Sequence, residues 1–182
     1  MFEKAVQFLK NKAIILYPTD TVWGIGGDAT DPEVVKKIYT LKKREDHKAL
    51  IVFVNSLEML GNYVEAIPKT ALKFIEDSQP ITIVYSKAKN LAQNLLGADG
   101  SIGIRIPKNE FCQNLIENFG KPIISTSANL SNTPTPTHFD SISKEILEGV
   151  DYIVPLPQNN ATSQPSRVIK IDENGAVTVI RP

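Results

Sequence analysis

Residues 13–29 run Ala-Ile-Ile-Leu-Tyr-Pro-Thr-Asp-Thr-Val-Trp-Gly-Ile-Gly-Gly-Asp-Ala. Ala13 to Tyr17 is a continuous apolar run, which is typical of a strand buried on both faces of a sheet. The run stops at Pro18, and hydroxyls, a carboxylate and glycines follow. We interpret this second half as a glycine-rich loop at a strand end, where α/β sheets bind ligands. The same composition would also suit a turn whose Thr and Asp side chains satisfy the local backbone.

Apolar runs and helical stripes alternate along the rest of the chain, a pattern typical of α/β proteins. Helices are predicted at 2–10, 32–41 (capped by Asp31), 56–62, 68–77, 109–118 and 139–148. Strands are predicted at 13–17, 50–54, 81–85, 102–106, 123–125, 152–154, 167–171 and 177–180. Residues 172–175 read Asp-Glu-Asn-Gly, which indicates a hairpin between the last two strands. The sequence therefore predicts one α/β domain over 1–182, with mixed strand directions, helices on the sheet faces and long loops at strand ends.

Composition and charge narrow the class of protein. The 182 residues are 42% hydrophobic and 22% charged, as in ordinary globular domains. Twenty basic residues balance twenty acidic ones, so the chain lacks the positive charge of a protein that binds mainly to nucleic-acid phosphates. The single cysteine, Cys112, cannot form an internal disulfide. No signal-peptide pattern or membrane-length apolar run is seen, so we expect a cytoplasmic protein.

A cluster of cations follows the helix predicted at 32–41. Lys42, Arg44 and Lys48 lie in a charged stretch that leads directly into a predicted buried strand, so they should lie near a sheet edge. Three cations there could neutralise a polyphosphate. The alternative is a solvated cluster that complements the helix dipole at a C-terminus.

Two strands carry polar groups suited to anion binding. Strict alternation in 102–106 places the isoleucines on one face and Gly103 with Arg105 on the other. A mid-strand arginine must be exposed or have an anionic partner, either a ligand carboxylate or a structural Asp or Glu. The strand at 123–125 breaks into the hydroxyl and amide residues of 125–132, which could bind phosphate oxygens or form a capping cluster. No Cys/His cluster has the spacing of a metal site.

The order of these segments resembles the YrdC/Sua5 family, the threonylcarbamoyl-AMP synthases of tRNA modification, in their short single-domain form. The resemblance extends from about residue 5 to the C-terminus. It rests on Pro18-Thr19-Asp20-Thr21 with Gly24, Lys42-x-Arg44, Lys48-x-Leu50, Pro80-x-Thr82, Arg105-x-Pro107, Ser127-Ala128-Asn129 and Arg181. It implies a twisted mixed sheet with a concave basic cavity, and an enzyme that joins L-threonine, bicarbonate and ATP into threonylcarbamoyl-AMP, releasing pyrophosphate.

The resemblance also implies a role for each matching residue. Four would hold threonine: Thr21, Arg105, Ser125 and Ser166. Seven would bind ATP: Lys42, Arg44, Lys48, Ser101, Ser127, Asn129 and Arg181, of which Lys42 and Arg44 would be catalytic. Mg²⁺ would arrive on the nucleotide rather than in a protein metal site, and no organic cofactor is implied. Transfer proteins would then deliver the threonylcarbamoyl group to adenosine 37 of tRNA, and direct binding of tRNA is possible.

The sequence departs from the family pattern at several loop positions. One departure concerns the site itself, because Phe53 stands where a histidine is common and would contact threonine. Two other interpretations therefore stay open. The same concave face could serve an RNA-binding or ribosome-maturation factor, although the chain has only one Trp to stack on bases. A paralogous enzyme could also use a different acyl or carbamoyl substrate.

Overall fold

The computed structural model describes residues 2–44, 50–156 and 164–182. Its helices are α1 (Phe2–Lys10), α2 (Pro32–Lys42), α3 (Leu57–Gly61), α4 (Lys69–Glu76), α5 (Glu110–Phe119) and α6 (Lys144–Gly149). Its strands are β1 (Ile15–Pro18), β2 (Trp23–Asp28), β3 (Ile51–Phe53), β4 (Ile81–Tyr85), β5 (Ile102–Arg105), β6 (Ile123–Ser127), β7 (Tyr152–Ile153), β8 (Arg167–Ile171) and β9 (Val177–Arg181). Short 3-10 turns lie at Gln93–Leu95 and Phe139–Ser141. None of the helices in these ranges is long and apolar enough to cross a membrane.

All the strands belong to one mixed sheet in the order β7-β1-β2-β6-β3-β5-β4-β8-β9. The pairs β1–β7, β3–β5 and β4–β8 are parallel, and the remaining neighbours are antiparallel. The predicted fold class, an α/β sheet with mixed strand directions and flanking helices, is therefore confirmed. The hairpin predicted from 172–175 joins β8 to β9.

One prediction was wrong, because the glycine-rich segment after Thr21 is largely a strand rather than a loop. Residues 23–28 form β2, every residue of which is buried between β1 and β6. Glycine is required there, since a Cβ on Gly26 would lie 2.6 Å from a ring carbon of Tyr17 and 3.1 Å from the Ile124 carbonyl. Glycines that make room for a large neighbour look the same in sequence as those that make a turn.

A second prediction needs adjustment, because the helix expected at 139–148 is interrupted. A 3-10 turn covers Phe139–Ser141, and α6 begins only at Lys144. Ser143 caps α6 through its hydroxyl, which accepts from the Ile146 amide at 3.4 Å. A serine that caps a new helix interrupts the chain before it. The apolar periodicity of 139–148 therefore predicted one helix where the structure has two separate turns of chain.

The sheet separates two apolar clusters. On one face α1 and α5 pack against each other and cover Ile15, Tyr17 and Ile123. The opposite face carries the larger cluster, to which α2, the 3-10 turn at Gln93–Leu95 and α6 contribute. The α1–α5 layer lies over the side of the sheet near β1, and the cavity described below lies on the same face over the strands beyond it.

Candidate active site

A cavity of about 420 Å³ lies over the sheet face that α1 and α5 leave open. Eight residues predicted as site residues line it: Thr21, Arg44, Ser101, Arg105, Ser125, Ser127, Ser166 and Arg181. They come from six different segments, between β1 and β2, after α2, on β5 and just before it, on β6, before β8 and on β9. Strand register explains the convergence, because Ile51 of β3 pairs with both Ser125 and Gly103, so all three share a face.

Three arginines lie in the cavity wall. Among the described residues that line it, the charged ones are Arg44, Arg105 and Arg181. No group of three or more His, Cys, Asp or Glu side chains that could hold a metal ion occurs within residues 2–44, 50–156 and 164–182. The arrangement is therefore suited to binding anions.

Arg105 lies at one end of the cavity and is held on two sides. Its Nη2 donates to Asp20 Oδ1 at 2.9 Å and to Thr21 Oγ1 at 3.3 Å. Its guanidinium lies over the Phe53 ring, 4.6 Å from the centroid. The side chain is only 4% exposed, and burial lowers its pKa while Asp20 acts in the opposite direction. The acidic partner that the sequence left open is thus an aspartate, and it engages one nitrogen of the arginine.

Two nitrogens of Arg105 are left for another group. Nε and Nη1 are buried, and neither has a hydrogen-bond partner among the described residues. A buried donor without a partner costs about 1–3 kcal/mol, so such groups usually mark a place that water or a ligand completes. Both two-point edges of a guanidinium include Nη2, which already donates to Asp20 and Thr21, so neither edge is complete.

The hydroxyls beside Arg105 form a fixed chain. Thr19 Oγ1 donates to the Val22 carbonyl at 2.7 Å and lies 3.1 Å from Thr21 Oγ1. Because Thr19 has used its only proton, Thr21 must donate to Thr19, and its lone pairs face Arg105. Thr21 can therefore accept a hydrogen bond from a ligand but has no proton left to give. The loop is also internally braced, since the Thr21 amide donates to Thr19 Oγ1.

A second pair of side-chain hydroxyls lies in the cavity wall near the β8–β9 edge of the sheet. Ser166 Oγ lies 2.8 Å from Thr82 Oγ1, and both residues are buried. Arg181 reaches from β9 and donates to the Ser166 carbonyl through Nε at 3.0 Å and Nη2 at 2.6 Å. This clasp fixes the position of Ser166 and brings the cationic group of Arg181 to the cavity wall.

Lys42 and Asn129 do not line the cavity. Lys42 is 1% exposed, and its Nζ donates to the carbonyls of Ser127 and Asn129. Burial, followed by the nearby charge of Arg44, lowers the pKa of Lys42 to about 7. The Asn129 amide donates to the carbonyls of Leu130 and Thr133. Both residues therefore brace the segment that carries Ser127, and the phosphate contacts predicted for them stay predictions; Lys48 lies outside the described residues.

Asp20 and Thr82 were not among the predicted site residues. Thr82 could have been found, because it belongs to the Pro80-x-Thr82 motif and places an aliphatic hydroxyl in the apolar run 81–85, where a buried hydroxyl needs a partner. Asp20 stands in the Pro18-Thr19-Asp20-Thr21 motif, but nothing in the sequence joins it to Arg105. Its partner Arg105 lies 85 positions away, and no local pattern links the two.

Comparison with known proteins agrees with this geometry. The family model Sua5_yciO_yrdC, whose description reads "Telomere recombination", matches residues 7–182. The chain belongs to the Sua5/YciO/YrdC family. A relative in that family, the threonylcarbamoyl-AMP synthase of Pseudoalteromonas translucida, is 34% identical over 95% of this chain and 94% of its own length. A second synthase, from Photobacterium profundum, is 31% identical over 84% of each chain.

Solved structures of the Sua5/YciO/YrdC family share this fold. The crystal structure of P. abyssi Sua5 complexed with L-threonine superimposes with a TM-score of 0.90 at 27% identity. It covers all of this chain, which spans about half (53%) of that Sua5 chain. E. coli YciO has a TM-score of 0.84 at 24% identity, a likeness that supports the fold alone.

Proposed function

We propose that this protein is a threonylcarbamoyl-AMP synthase, which condenses L-threonine, bicarbonate and ATP and releases pyrophosphate. The observation that carries the proposal is one arginine-lined cavity with two differently built ends. One end presents a buried, partly unpartnered arginine beside fixed hydroxyls. The other presents Arg44, Ser101 and Ser127. Relatives that bear the name of this synthase and match almost the whole chain support the same reaction.

The Arg105 end suits the amino acid. We assign the threonine carboxylate to Arg105, through a single charge-assisted contact at Nε or Nη1. Thr21 would accept from the substrate nitrogen, since its own proton is committed to Thr19. Ser125 and Ser166 would complete the wall around the side chain. Phe53, which replaces a common histidine, supplies an aromatic face against Arg105 rather than a polar contact to threonine.

The other end suits the nucleotide. Arg44 would face the phosphates, and Lys48 is proposed as a further phosphate cation. Ser101 and Ser127 would hydrogen-bond the nucleotide there, and Arg181 would reach it from the Ser166 side of the cavity, where it donates to the Ser166 carbonyl. Mg²⁺ would arrive on the β- and γ-phosphates as part of the substrate. For Lys42 and Asn129 we propose that any effect on ATP passes through the Ser127 segment that they brace.

The chemistry requires alignment more than proton transfer. The threonine amine combines with bicarbonate to give a carbamate and water. A carbamate oxygen then attacks the α-phosphate of ATP, and the bond to pyrophosphate breaks as the new phosphorus–oxygen bond forms. Two anions repel each other, so the site must supply cations that let them meet and that stabilise charge on the phosphate. Three arginines at the wall provide this without a general base.

The product is a mixed anhydride that must be passed on. We propose that transfer proteins deliver its threonylcarbamoyl group to adenosine 37 of tRNA, in the cytoplasm. An RNA-binding role without catalysis has no observation in its favour here. A chain with zero formal net charge would need a large local basic surface to hold RNA.

Pyrophosphate release from ATP tests the proposal directly. The protein is incubated with ATP, Mg²⁺ and bicarbonate, with and without L-threonine, and the adenylate is identified by mass. Threonine-dependent release with threonylcarbamoyl-AMP as product is expected. Release driven by another amino acid instead of threonine would overturn the substrate. If no amino acid drives pyrophosphate release, the proposed reaction is wrong.

A further inference from the structure

Asp20 joins two strand-end segments beside Arg105, although it does not itself line the cavity. Its Oδ1 accepts from Arg105 Nη2 at 2.9 Å, and its Oδ2 accepts from the Lys108 amide at 3.2 Å. The carboxylate thus connects the β1–β2 segment to the residues after β5. Its side chain is 16% exposed, against 4% for Arg105, so the ion pair is largely shielded from water.

The nitrogen that Asp20 engages decides how Arg105 can bind an anion. A guanidinium offers two edges for two-point binding, Nε with Nη2 and Nη1 with Nη2. Because Asp20 and Thr21 both occupy Nη2, neither edge is complete. Phe53 covers a face of the guanidinium. What remains is one-point contact at Nε or Nη1, which have no partner among the described residues.

We propose that Asp20 is a specificity-determining residue that reserves Arg105 for a singly charged carboxylate and keeps polyphosphate away from that end of the cavity. The inference rests on the proposed function, in which both kinds of anion share one cavity. Carboxylate and phosphate both gain from a complete two-point edge, which Asp20 withholds from either, so the discrimination comes from charge. Polyphosphate suffers most from a nearby carboxylate, because Coulomb repulsion scales with the charge of the ligand. Without Asp20, a phosphate chain would compete for Arg105, and ATP could bind with its phosphates in the place of threonine.

Inorganic tripolyphosphate is the probe, because its binding can be measured whether or not threonine is the substrate. Its Kd is determined by calorimetry on the full chain for the wild type, Asp20→Asn, and Asp28→Asn. Asp28 is the control, since its side chain is 7% exposed and it forms an ion pair at 2.7 Å with a different cation, Lys121, at a separate surface pocket. Both variants remove one negative charge, so the change in net charge of the protein is the same in each.

We expect Asp20→Asn to tighten tripolyphosphate binding about tenfold, and Asp28→Asn to change it less than about twofold. The gain should disappear in Asp20→Asn combined with Arg105→Ala, because it acts through Arg105. Tripolyphosphate should also weaken L-threonine binding more in Asp20→Asn than in the wild type. Unchanged tripolyphosphate affinity in Asp20→Asn, or an equal gain without Arg105, would overturn the inference. Failure of the proposed function would appear separately, as a wild type without threonine-dependent pyrophosphate release.

Discussion

Replacing Arg105 by lysine separates the shape of the guanidinium from its charge. The ammonium of Arg105→Lys keeps one positive charge and can still pair with Asp20, whose Oδ1 lies 2.9 Å from Nη2 in the native protein. The variant lacks Nε and Nη1, the two donors that the described residues leave without a partner. One charge-assisted hydrogen bond contributes about 2 kcal/mol, which corresponds to about thirtyfold in affinity.

We therefore expect the threonine KM to rise about thirtyfold and the ATP KM to change less than about twofold. Steady-state pyrophosphate release, with each substrate varied while the other is saturating, measures both constants. Arg167→Lys is the control, because Arg167 is an exposed residue of β8 that does not line the cavity. A threonine KM unchanged by Arg105→Lys, or a parallel rise in both constants, would refute the assignment of the carboxylate to Arg105.

Three further predictions concern the nucleotide, pH and stability. Arg44→Ala should raise the ATP KM about tenfold with little change in the threonine KM, in the same kinetic assay, and an unchanged ATP KM would contradict its place at the phosphates. Folding lowers the pKa of Lys42 from 10.5 to about 7. Between these two pH values Lys42 is therefore protonated in the unfolded chain and neutral in the folded chain. The unfolding free energy should accordingly rise from about pH 7 to about pH 10 more steeply in the wild type than in Lys42→Met, measured by urea unfolding, and equal slopes would contradict it. Gly26→Ala should lower the unfolding free energy by about 2–3 kcal/mol, because its Cβ would lie 2.6 Å from a ring carbon of Tyr17. Gly61→Ala is the matched control with open space around the new Cβ, and equal losses in both variants would show that the contact with Tyr17 is not the cause.

Local signals predicted most of the helices and strands. Asp31 with Pro32 marks the start of α2, and the Asp31 carboxylate does accept from the Glu33 and Val34 amides. The apolar run 81–85 coincides with β4. The failure at β2 has a physical cause. A Cβ on Gly26 would meet the Tyr17 ring of the neighbouring strand, and a Cβ on Gly27 would meet Val34 of α2, neighbours that no local pattern reveals.

The site could be predicted in its parts but not in its connections. The polar residues that end β6 and the arginine on β5 were recognisable as candidates, and eight of the predicted site residues do line one cavity. Burial and pairing decide the rest. Lys42 is held by backbone carbonyls because its helix end is packed beneath the Ser127–Asn129 segment, and only the tertiary fold determines that.

The clasp between Arg181 and Ser166 links the cavity to the stability of the sheet edge. β9 is exposed along its whole length and is bonded only to β8 among the described strands, so it belongs to the part of the sheet that opens at least cost. Each such opening removes Arg181 and releases Ser166 while the centre of the sheet stays folded. A ligand that needs both residues must suppress this opening by mass action. Amide hydrogens of β9 should consequently exchange more slowly in the presence of substrates, so that exchange at the edge strand reports occupancy of the cavity.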